Sequence, residues 1–273
     1  MSDPLELRAA TFNVRNGRAP DRCRAWPFRR RAFARTVAAL AADVLGLQEA
    51  YRFQLDWLLK RLPRHRSVGV GRRDGADGGE HCAVLYDQVR FTLEHERTRW
   101  FADDPDHAGA SLPRANHPRI ATLVRLRDAQ TGRAFGVANT HFDERRQDNR
   151  ERSADLLLSW LEPDVRWLVM GDFNAEPSNP LFERFGAAGY RPVLASGPPG
   201  SAHQFTGRTD GPLIDNILVG PEWEVRSAAV VTDTPGRQLP SDHWPVVADL
   251  TLRSPATQAG HSGARSGNSP RRT

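Results

Sequence analysis

Seven short motifs in this chain end apolar runs with residues able to hold a cation or move a proton. In order they are Thr-Phe-Asn13, Leu-Gln-Glu49, Gly-Glu80, Asn-Thr-His141-Phe-Asp, Gly-Asp172-Phe-Asn174, Ile-Asp215-Asn and Ser-Asp242-His243. Their side chains are carboxylates, amides and imidazoles, with no thiol. Oxygen donors suit a hard divalent cation such as Mg2+ or Mn2+. Imidazoles and carboxylates suit proton transfer. Together they are the equipment of metal-assisted phosphoester hydrolysis.

The apolar runs before these motifs predict a site assembled from strand ends. Strands are expected at Leu5–Phe12, Asp43–Leu47, Ser67–Val70, Cys82–Tyr86, Phe91–Arg97, Ile120–Leu126, Ala134–Thr140, Trp167–Met170, Leu213–Val219, Val225–Val231 and Trp244–Leu250. Helices are expected at Phe28–Ala41, Phe53–Leu62, Asp148–Trp160 and Pro180–Ala188. In the first of these, Phe33, Val37 and Leu40 recur at helical spacing. Alternating strands and helices, with hairpin-like strand pairs, imply a layered α/β (α+β) protein. Two long irregular stretches, Ala102–Pro118 and Ser196–Pro212, have the length at which loops commonly carry function.

Motifs at both ends of 273 residues must converge, so residues 1–253 are expected to form one domain. Residues 254–273 are mostly Ser, Gly, Pro, Ala and Arg with no large apolar residue, the composition of a disordered tail. A pI near 9.9 invites a nucleic-acid partner. Yet Lys60 is the only lysine, and removing the tail, with Arg265, Arg271 and Arg272, lowers the net charge from +5 by three, to +2. Arg22, Arg24, Arg29, Arg30, Arg31 and Arg35 cluster at the first expected helix, as a basic face or as a solvated one. Only Cys23 and Cys82 are present, no signal peptide is visible, and no apolar run approaches the ~20 residues of a membrane span. A cytoplasmic protein with reduced cysteines and no obligate protein partner is expected.

The ordered motifs resemble the endonuclease/exonuclease/phosphatase superfamily over residues 5 to about 252, with Gly-Asp172-Phe-Asn174 and Ser-Asp242-His243 the most specific. The stretch Gly71-Arg-Arg-Asp-Gly75 leading to Glu80, then Trp100-Phe101, resembles a bacterial subgroup. The resemblance implies a four-layer sandwich: two mixed β-sheets packed face to face, with helices outside. It implies Glu49 as principal Mg2+ ligand, Asn13 beside the metal and phosphate, and Asp242 on the metal side. It implies water activation by Asp172, amide donation by Asn174, and a His243 fixed by Asp215. His243 is then a general base or a stabiliser of the pentacoordinate phosphorus. His141 becomes the candidate general acid, oriented by Glu80. Arg119 matches a subgroup arginine, as phosphate contact or ordinary ion pair. His203 and Phe205 are candidate cleft residues. Trp100 and Trp244 could stack on a base or fill the core, and Asp143 could support His141 or cap the next loop. Two departures stand out. Arg15 occupies the place of a frequent second acid, and Leu213 that of a frequent arginine.

The expected activity is therefore a Mg2+- or Mn2+-dependent phosphodiesterase, nuclease-like in chemistry. A phosphomonoesterase acting on a sugar or inositol phosphate is the alternative within the class, and a non-catalytic binding protein the alternative outside it. The substrate is a phosphoester, with nucleic acid among the candidates.

Overall fold

Alternation along the first strand decides the layering. In β1 (Leu5–Asn13), Leu5, Leu7 and Ala9 enter one core, while Ala10 and Phe12 enter another. A strand buried on both faces must be central to a sandwich with a further layer outside it. The computed structural model describes residues 3–195, 197, 199–236 and 238–253. The expected tail, 254–273, lies outside the described residues.

After β1 come α1 (Trp26–Leu40), β2 (Val44–Tyr51), α2 (Arg52–Leu59), β3 (His65–Val68), β4 (Glu80–Asp87), β5 (Phe91–Trp100) and β6 (Ile120–Asp128). Then follow β7 (Ala134–His141), α3 (Gln147–Trp160), β8 (Trp167–Asp172), α4 (Leu181–Ala187), β9 (Arg191–Pro192), β10 (Asp215–Val219), β11 (Trp223–Val230) and β12 (Val246–Leu252). One sheet has the order β11-β12-β1-β2-β4-β3, the other β5-β6-β7-β8-β10-β9. Each has one parallel pair at its centre, β1 with β2 and β7 with β8, among antiparallel neighbours. The expected four-layer sandwich of two mixed sheets is the fold observed.

One core lies between the sheets, with Leu7, Val84, Val137, Met170 and Ile217. A second joins the first sheet to α1 and α2, where Phe12 stacks on Phe33 at 4.8 Å between ring centroids. A third joins the other sheet to α3 and α4 through Leu157, Phe173 and Phe185. No helix among the described residues is long and apolar enough to cross a membrane.

The sheets approach closely beneath the site. A Cβ at Gly46 would lie 2.7 Å from Asn139 Oδ1 and 2.8 Å from Met170 Sδ. There the buried Gln48 donates to Asn139 Oδ1 and Thr11 Oγ1, and Asn139 donates to the Leu47 and Ala83 carbonyls. Buried polar groups are tolerable when hydrogen-bonded, and these tie β7 to β2 and β4 across the sandwich.

Several expected boundaries shift. The strand expected from Leu213 begins at Asp215, because Ser201 Oγ accepts the Ile214 and Asp215 N–H groups instead of letting them enter a ladder. The strand expected from Trp244 begins at Val246, after Pro245. The two-residue β9 has no sequence signal. Arg29 belongs to no basic face. It is fully buried, with Nη1 donating to the Val14 and Pro240 carbonyls and Nη2 to that of Arg15.

Candidate active site

Parallel pairing puts the carboxyl ends of β1, β2, β7 and β8 at one edge of the sandwich. Asn13 lies beside Gln48, and His141 beside Asp172. The antiparallel β10 begins at that edge, with Asp215 opposite Asp172. Asp242 and His243 arrive just before β12. Six of the seven motifs thus line one cleft of about 690 Å3, and Asn13 lies behind it, bonded to Glu49 and Asp172. Ligands of open sheets gather at such strand ends.

Glu49 enters the cleft through a break in register between β2 and β4, at Leu47/Ala50. Its φ is +62°, unusual for a residue with a Cβ. Oε1 accepts from Asn13 Nδ2 at 3.0 Å, and Oε2 from the Asn16 N–H at 2.9 Å. Burial opposes its charge, but these two bonds and the charges of His243 and Arg15 outweigh it and hold the carboxyl below its usual range. Asp242 is pushed up by burial and by Glu49, with His243 and Arg15 pulling the other way. Two mutually repelling carboxylates in a half-buried cleft fit a hard divalent cation. Glu49 and Asp242 are the residues that would hold it.

Asn13 does not fit the ligand role. Its Oδ1 accepts the Arg15 N–H at 2.8 Å, while Nδ2 donates to Glu49 and to Asp172 Oδ2, both at 3.0 Å. An amide between two carboxylates must present its nitrogen, so Asn13 spaces the carboxylates.

Asp172 is the hub. Gly171 lets β8 approach β7, since a Cβ there would lie 2.1 Å from the Thr140 carbonyl oxygen. Asp172 Oδ1 accepts the Asn174 N–H at 2.9 Å. Oδ2 lies 3.6 Å from His141 Nε2 and 4.0 Å from His243 Nδ1. Burial and the neighbouring Asp215 push Asp172 up to about 7. Asn174, at φ +49°, gives one amide hydrogen to the Phe142 carbonyl.

His243 Nδ1 is 2.7 Å from Asp215 Oδ2. Burial opposes its charge, but Asp215, through charge and hydrogen bond, and then Asp172 and Asp242, lift its pKa well above the usual value. These neighbours favour its charged form. Asp172, Asp215 and His243 offer ligand atoms within 4.8 Å of one another. A short hydrogen bond between His243 and Asp215 already occupies two of them.

His141 is the opposite case. Burial, then the charges of Arg119, Arg72, His243 and His117, hold its pKa well below the usual value. Glu80 does not orient it. Glu80 pairs with Arg72 at 2.9 Å, and burial pushes its carboxyl up to about 7 despite that partner.

Of the softer candidates, Arg119 lines the cleft and pairs with Glu144. Phe205 also lines it, at φ +59°. His203 lies behind the wall, buried and packed on Trp244 with ring centroids 4.2 Å apart and the planes tilted by 30°, burial pushing its pKa down to about 4. Trp100 and Trp244 are core residues, donating to the Arg72 and Arg208 carbonyls. Asp143 caps its loop, accepting the Arg145 and Arg146 N–H groups. Sequence reasoning missed Arg72, His117 and Glu144 in the cleft wall, although Arg72 lies in the quoted Gly71–Gly75 motif.

A family model described as the Endonuclease/Exonuclease/phosphatase family matches residues 10–243. The chain belongs to this family. It is similar to human nocturnin, 27% identical over 83% of this chain and 58% of that protein. A solved endonuclease/exonuclease/phosphatase family protein from Bacteroides thetaiotaomicron matches at TM-score 0.87 and 28% identity, covering 92% of this chain and 100% of that one. A mannosyl-6-phosphatase from the same organism matches at TM-score 0.83 and 28% identity, covering 89% and 99%. The chain spans about half the length of the curated relatives it matches first.

Proposed function

We propose that this protein is a divalent-metal-dependent phosphoester hydrolase in which water attacks phosphorus in line. The observation that carries the reading is the placement of Asp172, fixed by Asn13 and Asn174 with Oδ2 3.6 Å from His141 Nε2 and 4.0 Å from the Asp215-held His243 Nδ1, with burial raising its carboxyl. A group with pKa near the working pH is the efficient proton acceptor. Asp172, steadied by Asn13 and Asn174, orients the attacking water and takes its proton. Held by Asp215 and favoured in its charged form, His243 is a poor proton acceptor. We therefore read it as the stabiliser, donating to a phosphoryl oxygen as charge builds there. Glu49 and Asp242 would hold the divalent cation, which would supply charge neutralisation at the phosphoryl oxygens. The new P–O bond forms as the bond to the leaving oxygen breaks on the far side.

A phosphodiester is the first substrate class. A phosphomonoester is the second, favoured by Arg72 and Arg119 in the cleft wall and by the likeness to a mannosyl-6-phosphatase. The more highly charged monoester needs more cationic groups around it.

The test compares aryl mono- and diesters with Mg2+, Mn2+ or EDTA, alongside thermal melts. Glu49→Gln should fold, lose the melting shift that Mg2+ gives the wild type, and lose most turnover, because an amide is a poor ligand for a hard cation. Asp172→Asn should keep the Mg2+ shift and lose turnover by about a thousandfold. Turnover that resists EDTA, or survives both substitutions, rejects the reading.

A further inference from the structure

Charge is unevenly placed on this molecule. Between Gly17 and Leu40 stand seven arginines and one acid, Asp21, a net +6. Residues 1–253 together carry +2, so the remainder of them is four charges negative. Elsewhere arginines are matched to acids, as Arg97 and Arg99 are to Asp106 and Arg184 is to Asp155. Here Asp21 is already taken by Arg15. Among the described residues, Arg18, Arg22, Arg24, Arg30, Arg31 and Arg35 take part in no ion pair. Their charge does not serve the helix either. The first turn of α1 has no acid and is followed by Arg29, Arg30 and Arg31. Positive charge near a helix N-terminus opposes the macrodipole, and the like pair Arg31 and Arg35, four residues apart, repels. Phe28, 62% exposed, shares the face of Arg31 and Arg35 at spacings of three and four. The face begins at the lip of the cleft, where Arg24 lies over the ring of Phe205 at 5.5 Å. From there α1 carries it away. Arg29 holds the helix start to the Val14 and Pro240 carbonyls, and the Leu40 carbonyl at its end accepts from Arg8 Nε in the first half of β1. The 15 residues between span about 22 Å. None of Arg22, Arg24, Arg31 and Arg35 lines the cleft.

We propose that this outer face of α1 is a docking surface for a single nucleic-acid strand, outside the cleft in which the ester is cut. The repeated phosphates of a strand supply the anions that these arginines lack, and its bases can stack on Phe28. Arg24 on Phe205 and Arg30 over Trp57 at 5.2 Å are held by their rings, so less freedom is lost when they pair. An anionic membrane also carries charge, but a helix lying in a membrane buries a continuous apolar face. Phe28 is the one large apolar side chain exposed on α1. A single ring among arginines fits alternating base and phosphate. The proposal rests on the hydrolase reading only for the bound strand being a substrate. Docking itself does not depend on turnover.

Fluorescence anisotropy of labelled oligothymidylate, with the full chain in EDTA, separates docking from turnover. A strand of about 16 nucleotides should bind about tenfold more tightly than one of about 4, because only the longer one can leave the cleft and follow α1. The double variant Arg31→Gln with Arg35→Gln should remove most of this length preference. Both positions are exposed, and glutamine is a good helix former. It should also flatten the slope of log affinity against log salt by about 1.4, two contacts at about 0.7 each. Phe28→Ala should weaken the longer strand about fivefold with the slope unchanged. These variants should melt at or above the wild-type temperature and turn over an aryl diester with Mg2+ at the wild-type rate, since none touches the cleft. Arg226→Gln, whose arginine is paired with Glu224, is the control and should change nothing. An affinity independent of strand length, or a salt slope unchanged in the double variant, overturns the docking surface. Loss of binding to phosphatidylserine vesicles in the double variant, with strand binding intact, also overturns it and makes the face a membrane surface. Docking with the expected variant pattern but no turnover of any ester would instead fail the hydrolase reading and leave the surface standing.

Discussion

At the scale of single residues, strain is concentrated where the chemistry is. Eight non-glycine residues among those described have positive φ, and Arg15, Glu49, Asn174, Gln204 and Phe205 of these line the cleft. Held conformations of this kind, each costing about 1–3 kcal/mol, persist only when surrounding contacts over-determine them. The contacts are visible for Glu49, whose two oxygens are fixed by Asn13 and Asn16. Electrostatics then divides the two histidines. Asp215 and its neighbours push His243 towards its charged form, while burial and the nearby arginines push His141 towards its neutral form. The motif around His141 suggests a general acid, but an imidazole held towards its neutral form is a poor one, because its remaining N–H is far less acidic than an imidazolium's. It can donate one N–H to a phosphoryl oxygen instead. His141→Ala should therefore lose a similar factor, about a hundredfold, on alkyl esters with poor leaving groups and on activated aryl esters. Single-turnover rates make the comparison clean. A much larger loss on the alkyl ester would restore His141 as the proton donor.

At the scale of elements, the strand ends were legible and the clamps between elements were not. An apolar run closing on Asp172 or Glu49 can be read, because a period of two needs only neighbours in sequence. Even so, Asp215 opens its strand where the motif was expected inside one. The role of Arg29 could not be read. Among five other arginines around α1 it has the pattern of a solvated face, and its partners are carbonyls from Val14, Arg15, Arg24 and Pro240, the last 211 residues away. The same holds for Asn13, whose amide direction depends on two carboxylates brought by other strands, and for Glu80, claimed by Arg72. Arg29 ties the exit of β1 to the segment that delivers Asp242 and His243. Arg29→Met keeps the apolar stem and removes the donors. It should cost about 3 kcal/mol in urea denaturation, since four carbonyls lose a charged partner. At a temperature where both proteins are folded, it should also lower kcat about tenfold and weaken the Mg2+ melting shift. Lower stability with unchanged kcat would confine Arg29 to the fold.

At the scale of the whole molecule, the two sheets need fastening at both ends, because the site is shared between them. Near the site, Asn139 and Gln48 join them. At the opposite end, roughly 25 Å along β1 from Asn13 at ~3.3 Å per residue, Arg90 does so. It reaches Asp128 at the end of β6 and Asp43 before β2, at 2.9 and 2.8 Å. Asp128 is fully buried, and its other oxygen accepts from the Thr131 N–H and hydroxyl. Burial opposes its charge, but the bonds from Thr131 and Arg90 outweigh it and bring the carboxyl below its ordinary 3.8. A carboxyl lowered in the folded state adds stability that is present above its unfolded value and lost as pH falls through the folded one. Asp128→Asn should thus be less stable than wild type by about 1–3 kcal/mol near pH 7, where the charged bond to Arg90 is missing. The gap should hold at about pH 5 and close as the pH drops below 3.8, where the wild-type carboxyl also becomes neutral. Because the clip lies far from the cleft, the specific activity of the folded variant should match wild type. Denaturant titrations across this range decide the matter. A gap that persists undiminished at about pH 3 would mean that Asp128 contributes packing and neutral hydrogen bonds, and that its charge does not fasten the sheets.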